Sequence, residues 1–259
     1  MRNTKIEWAD MTWNPMTGCL HGCGYCYAKK IANRFACKDP AAVLETANSK
    51  DVHILQEPYV FEGTIEPYPF GFQPTFHMYR LHDPEKVKES SVVFVCSMAD
   101  LFGAWVPDWI ISSVLEACRR APWHTYMFLT KNPSRYDDLI DEKIIKPTDT
   151  NFWLGTTVTD LTRMAHWNKR QHTFWSVEPI LAPWPDKAVD VRYKEVWPDW
   201  VILGAETGNR ADKVVPEKSW IDNIVRTCRQ MGAPVLMKES LVPIVGEENM
   251  IREFPEGLE

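Results

Sequence analysis

A chain of 259 residues that is 45% apolar and 25% charged has the make-up of an ordinary globule, long enough for one large domain or two small ones, and this excludes disorder, collagen and coiled coil. No window approaches 18 uninterrupted apolar residues, and residues 1–10 carry charges where a signal peptide would be apolar, so the chain is expected in the cytoplasm with no membrane span. Seven cysteines in a reducing compartment point to metal or redox chemistry rather than a disulfide framework, and a net charge of −6 sets up no broad basic field for nucleic acid, leaving only a local basic groove open.

In chain order, one strand is expected before a glycine-rich cysteine segment, 18–27 (GCLHGCGYCY), which leads into a helix over 28–35. Residues 38–90 then break the rhythm. Rich in Pro and aromatics, they read as an insertion, an ordered functional loop or lid, because a true linker would lack the Phe, Tyr and Leu anchors. From residue 91 short β-rich runs alternate with amphipathic stretches, the pattern of repeated βα units and a parallel sheet. Strands are expected at 91–96, 124–130, 152–158, 173–177, 200–204 and 234–237, mostly without alternation, as for strands buried on both faces. A helix over 107–120 places Ile110, Val114 and Cys118 on one stripe, and another begins at Asn132-Pro133, a cap followed by a first-turn proline. The helix from Pro216 carries Trp220, Ile224, Val225, Cys228 and Met231 down one face and ends at Gly232. The order suits an α/β fold, a partial or near-complete (β/α) barrel in a single domain over 1–259, with an open doubly wound sheet as the rival. No phosphate-binding glycine fingerprint follows any strand, so the rival lacks its usual ligand.

Three cysteines spaced C-x3-C-x2-C, Cys19, Cys23 and Cys26, can bring three thiolates to one compact, soft metal centre, with Gly18, Gly22 and Gly24 letting the backbone turn sharply. A structural zinc needs a fourth ligand. His21 sits awkwardly within the loop, and a helix after it would carry Cys37 away. An iron-sulfur cluster on three cysteines instead leaves one iron free for an outside ligand. Both metals stay open on spacing alone.

The C-x3-C-x2-C loop with Tyr25 before its last cysteine resembles the signature of the radical S-adenosylmethionine superfamily. The segments Trp13-Asn14-Pro15, Ser97-Met98-Ala99-Asp100, Leu129-Thr130-Lys131-Asn132-Pro133, Ser176-Val177-Glu178-Pro179 and Gly204-Ala205-Glu206 resemble successive motifs of a phage-associated radical-SAM-like family with bacterial members. That resemblance implies a radical SAM-type barrel, a 4Fe-4S cluster on Cys19, Cys23 and Cys26, S-adenosylmethionine on the open iron, and an electron donor such as flavodoxin or ferredoxin. Queuine lyase lies within or close to the family. The implied reaction is therefore carbon-nitrogen cleavage of queuine, a modified purine-like base, to 7-aminomethyl-7-deazaguanine. The cysteine loop with Tyr27 also resembles that of spore photoproduct lyase, which implies an alternative: radical repair or modification of DNA or RNA. A non-catalytic zinc-binding protein is the third reading.

Working groups of a parallel barrel sit at the C-terminal ends of its strands. Ser97, Asp100, Lys131, Thr156, Thr157, Glu178, Glu206 and Lys238 occupy those places. The amine and ribose of S-adenosylmethionine suit Ser97, Asp100 and Thr157, with Tyr25 beside the adenine. A deazaguanine edge suits a carboxylate that accepts two N–H bonds, Glu206 or Glu178. Glu178, Glu206 and Lys238 are the candidates for chemistry on the substrate, and Trp13, His53 and His77 for walling or contacting it, with Tyr79 and Arg80 nearby. Each has a plain alternative. Strand-end carboxylates often cap helices, loop histidines are often exposed or locally hydrogen-bonded, and Cys37, Cys96, Cys118 and Cys228 suit small buried hydrophobes. Trp8 and Trp13 flank the cysteine loop; the other ten Trp are expected to pack.

Overall fold

The computed structural model describes residues 1–46, 51–159, 171–184 and 197–258; Trp167 and residues 47–50 of the expected insertion lie outside them. The chain divides into two compact units, Met1–Asn151 and Phe152–Glu259. Among the described residues no helix is long and apolar enough to cross a membrane.

The first unit contains, in chain order, β1 (Arg2–Asn3), β2 (Met11–Trp13), β3 (Met16–Thr17), α1 (Tyr27–Arg34), α2 (Pro40–Thr46), β4 (His53–Leu55), β5 (Val60–Phe61), β6 (Thr64–Ile65), β7 (Thr75–His77), α3 (Asp83–Lys86), β8 (Val92–Val95), α4 (Asp108–Arg120), β9 (Thr125–Thr130) and α5 (Ser134–Asp141). β2, β8 and β9 run parallel, in registers such as Thr12 opposite Phe94 and Val93 opposite Tyr126. β1 adds an antiparallel edge. The β-branched run of β8 is almost wholly buried, and α4 buries Ile110, Val114 and Cys118 as its stripe requires. The stretch expected as an insertion is ordered around β7, which pairs antiparallel with β3 and parallel with β4. That pairing carries it onto the strand that launches the cysteine loop.

At α5 the cap differs from expectation. Pro133 itself occupies the N-cap, and Asn132 turns away to donate from Nδ2 to the Phe102 carbonyl at 3.0 Å. The chain after β9 is thereby tied to the chain after β8.

The second unit contains β10 (Phe152–Thr157), β11 (His172–Val177), β12 (Trp200–Leu203), α6 (Lys218–Met231), β13 (Val235–Met237) and α7 (Val242–Val245). β10 to β13 pair in sequence order, all parallel. The all-apolar β12 is buried along its length, which explains the missing alternation. α6 buries Ile221, Ile224, Cys228 and Met231, while Trp220 and Val225, expected on the same face, are only half-buried. Gly232 ends it in the left-handed region at φ 78°, where a side chain would be strained. Trp184 packs edge to face on Trp175 and Trp197, which are tilted against each other, with ring centres 4.7 to 6.3 Å apart, as expected of core tryptophans. Trp109 and Trp123 are partly exposed, and Trp109 still packs edge-on against Phe76.

Gly155 in the middle of β10 has the Phe174 ring over its Cα; a Cβ there would lie 2.2 Å from the ring. Phe174 is fully buried and has nowhere to move. Gly155→Ala is expected to lower the unfolding free energy by about 1–3 kcal/mol, read from the midpoint of urea unfolding at unchanged slope. A wild-type midpoint would refute this close approach.

Candidate functional site

The cysteine loop runs from the end of β3 to the start of α1. Its entry is held by backbone: Gly18 N–H donates to the Met98 carbonyl at 2.9 Å and Cys19 N–H to the Phe72 carbonyl at 3.1 Å. Gly18 has φ 84°, and a Cβ on it would lie 2.1 Å from the Gln73 carbonyl oxygen, so glycine is required there for both reasons. At the exit Cys26 N–H donates to the Cys23 carbonyl, Cys26 caps α1, and its Sγ accepts from Lys29 N–H at 3.4 Å. All three cysteines are free thiols and half-buried. Burial, with Asp100, Cys26 and Cys23 adding to it, pushes the Cys19 thiol up to about 12. A cationic inorganic centre is the partner that would offset this and hold the group as a thiolate. Among the described residues no three His, Cys, Asp or Glu side chains surround a point that a single ion could occupy. Three free thiols on one loop have the donor chemistry of a cluster that takes one sulfur per iron.

His21 is not turned to the cysteines. Its Nε2 donates to Asp100 Oδ2 at 2.7 Å. Asp100 also accepts from Lys131 N–H on Oδ2 (2.9 Å), and from Thr130 Oγ1 (2.7 Å) and Phe102 N–H (3.0 Å) on Oδ1. Four donors fill the four acceptor positions of a carboxylate that is 5% exposed. The expectation that Asp100 meets the cofactor amine is therefore replaced. Its lone pairs are spent on joining the cysteine loop to the C-terminal ends of β8 and β9.

Ser97 sits beside this hub. Asn14 Oδ1 accepts from Ser97 Oγ at 3.2 Å and Met98 N–H at 3.0 Å, and Tyr27 OH donates to the Ser97 carbonyl at 2.7 Å. Tyr25, expected beside adenine, has the Lys131 ammonium 5.8 Å from its ring centre. Trp13 is buried with its indole N–H on the Arg80 carbonyl, a core position. His77 is not a loop histidine: it lies fully buried on β7, with Nε2 2.9 Å from Thr17 Oγ1 and Nδ1 3.2 Å from Tyr79 OH. Burial and the neighbouring Arg80 depress it to about 3. His53 stacks on Phe70 at 3.9 Å. Cys37 is buried, and although it follows α1 it lines the same cavity of about 450 Å³ as Cys19, against the expectation that the helix carries it away. Cys96, Cys118 and Cys228 are buried as expected.

In the second unit the expected residues follow their strands. Thr156 and Thr157 end β10; the Thr156 hydroxyl is buried with no partner among the described residues. Glu178, after β11, accepts from Lys238 Nζ, after β13, at 2.6 Å. Gly204, after β12, makes room between them, since a Cβ on it would lie 3.0 Å from the Glu178 carboxylate. Glu206 is 4% exposed, and both its oxygens are engaged by Arg210, at 2.7 and 2.8 Å. An incoming base would have to displace that guanidinium to use the Glu206 carboxylate edge.

A family described as "Protein of unknown function (DUF5131)" matches residues 3–241. The chain belongs to this family. No curated protein matches it. Among solved structures, a cysteine-to-serine mutant of spore photoproduct lyase is similar at 13% identity and a TM-score of 0.50, over 91% of this chain and 78% of that one. A double mutant of the same enzyme with bound AdoMet and dinucleoside spore photoproduct is similar at 13% identity and 0.50, over 90% and 78%. At this identity the likeness is one of fold alone: a mixed α/β fold with a mostly parallel sheet. It gives no support to the narrower phage-associated family or to queuine lyase.

Sequence reasoning assigned no role to Asn14 or Thr17. Their signal was present in Asn14-Pro15 at a strand end and in a threonine two residues before the first cysteine. Only the pairing of distant segments gives them partners.

Two predictions concern this network. Asp100→Asn substitutes an amide that turns two of its own protons toward donors, and is expected to cost on the order of 2–3 kcal/mol in urea unfolding. His77 is neutral in the fold, and the unfolded chain takes up its proton below about pH 6.5, so stability falls as pH drops from there toward 3. His77→Gln is expected to flatten that decline between pH 7 and pH 4; an unchanged slope would count against the buried neutral imidazole.

Proposed function

We propose that this chain is a radical S-adenosylmethionine enzyme that acts on a nucleobase within DNA or RNA, of the repair or modification type. The supporting observation is the joint one: three free thiols on a C-x3-C-x2-C loop, within a fold like that of spore photoproduct lyase. Cys19, Cys23 and Cys26 would hold a 4Fe-4S cluster, which would supply one-electron reduction of S-adenosylmethionine and hence radical hydrogen abstraction.

The chain's own residues do the rest. Asp100 and His21 fix the loop so that the three sulfurs keep their spacing. Gly18 brings the loop under the backbone at Phe72 and Gln73, which fixes where the first cysteine sits. The Thr156 hydroxyl offers a hydrogen bond to a bound ligand, and the Lys238 ammonium, oriented by Glu178, holds a proton that it can give to a substrate atom. Cleavage of free queuine draws on Glu206 or Glu178 as the base-reading carboxylate; Arg210 already occupies Glu206, and Lys238 engages one oxygen of Glu178.

Cys23→Ala is expected to abolish reductive cleavage of S-adenosylmethionine and to lower iron and sulfide in anaerobically purified protein, with the circular dichroism spectrum unchanged. Full cleavage in this variant would overturn the assignment. In the wild type, formation of 5′-deoxyadenosine should be stimulated by a lesion-bearing oligonucleotide, with binding that weakens as salt rises. Stimulation by queuine alone would replace the nucleic-acid reading.

A further inference from the structure

We propose that the face formed by α1 and α2 beside the cysteine loop is the docking surface for a small acidic protein that delivers single electrons. The inference rests on the reading of the cysteine loop as a redox centre. Charge is the first observation. Between residues 19 and 46 the chain has four basic and two acidic residues, against a net charge of −6 overall. Lys29, Lys30, Arg34 and Lys38 are all exposed. Among the described residues none of the four forms an ion pair, whereas Arg119, Arg120, Arg135, Arg210 and Lys238 all do. Of the two acids, Asp39 is already engaged by Tyr59 and Ala41 N–H, which leaves Glu45 as the exposed exception.

The second observation is apolar. Leu44 is 75% exposed, Phe35 53%, Val43 52% and Leu20 39%. Exposed apolar side chains interspersed with cations are the make-up of a protein interface, while a surface for a phosphate backbone is polar and basic throughout. Redox encounters use small interfaces, so a patch of this size suffices, and the unpaired cations would steer an acidic donor.

The third observation is access. Leu20, Lys29 and Val43 border the cavity that reaches Cys19, so a donor seated here stands over an opening that leads to that thiol. The step balances simply: the donor is oxidised by one electron, the centre on Cys19, Cys23 and Cys26 is reduced by one, and no bond forms or breaks at the surface.

The test uses a bacterial flavodoxin as the probe and measures binding by surface plasmon resonance at low and high salt, alongside S-adenosylmethionine cleavage driven by dithionite. Lys30→Glu/Arg34→Glu is expected to weaken flavodoxin binding roughly tenfold or more and to flatten its salt dependence. Leu44→Ser, a change at an exposed side chain, is expected to weaken binding without altering the salt slope. Dithionite-driven cleavage should be unchanged in both variants. Wild-type affinity for flavodoxin in the charge variant, no flavodoxin binding by the wild type, or loss of oligonucleotide binding in place of flavodoxin binding would each overturn the docking surface. Absence of dithionite-driven cleavage in the wild type would instead defeat the redox reading of the loop, and the binding arm separates the two failures.

Discussion

A single carboxylate organises the cysteine loop. Asp100 follows β8, and its two oxygens collect one donor from the loop, one from its own turn and two from the end of β9. Burial makes each bond worth more than it would be in water, and makes the loss of any donor costly. Because His21 lies between the first two cysteines, its bond to Asp100 pins the segment whose spacing matters most. The loop is thus held by its flanks, through Gly18 and Cys26 at the ends and His21 in the middle. Its sulfurs are bonded only by nearby backbone among the described residues: Cys26 accepts from Lys29 N–H, and Cys19 from the His21 backbone.

The layer under the loop follows the same logic. Thr17 and His77 form a buried bond between β3 and β7, and Asn14 bonds the turn after β8. These short side chains connect strands far apart in sequence, and each uses up a polar group that burial would otherwise penalise. In the second unit, Glu178 with Lys238 and Glu206 with Arg210 are closed pairs at strand ends. A substrate that needs either carboxylate must compete with an established cation, which bears directly on the choice between a free base and a larger nucleic-acid ligand.

Much of the strand pattern was readable from composition. The runs that became β8 to β13 are β-branched or aromatic and bounded by polar turns, and parallel strands buried on both faces leave that mark without help from neighbours. α6 was legible for a similar reason, with its proline entry, apolar stripe and Gly232 exit all local. The cap of α5 was misread because Asn132 has a better partner in Phe102, a residue 30 positions away. Trp220 and Val225 were placed on the buried face by period alone, and both are only half-buried at the edge of the stripe that Ile221, Ile224 and Cys228 fill.

By itself the sequence determined the chemistry available: three thiols at fixed spacing, with glycines where the backbone must turn, depend on residue type and short separation only. Tertiary structure decided the partners. That Asp100 braces the loop, that His77 is buried and neutral, that Cys37 shares a cavity with Cys19, and that Glu206 faces Arg210 all follow from contacts whose geometry is set by strand pairing and burial. Spacing cannot encode which lone pair is already taken.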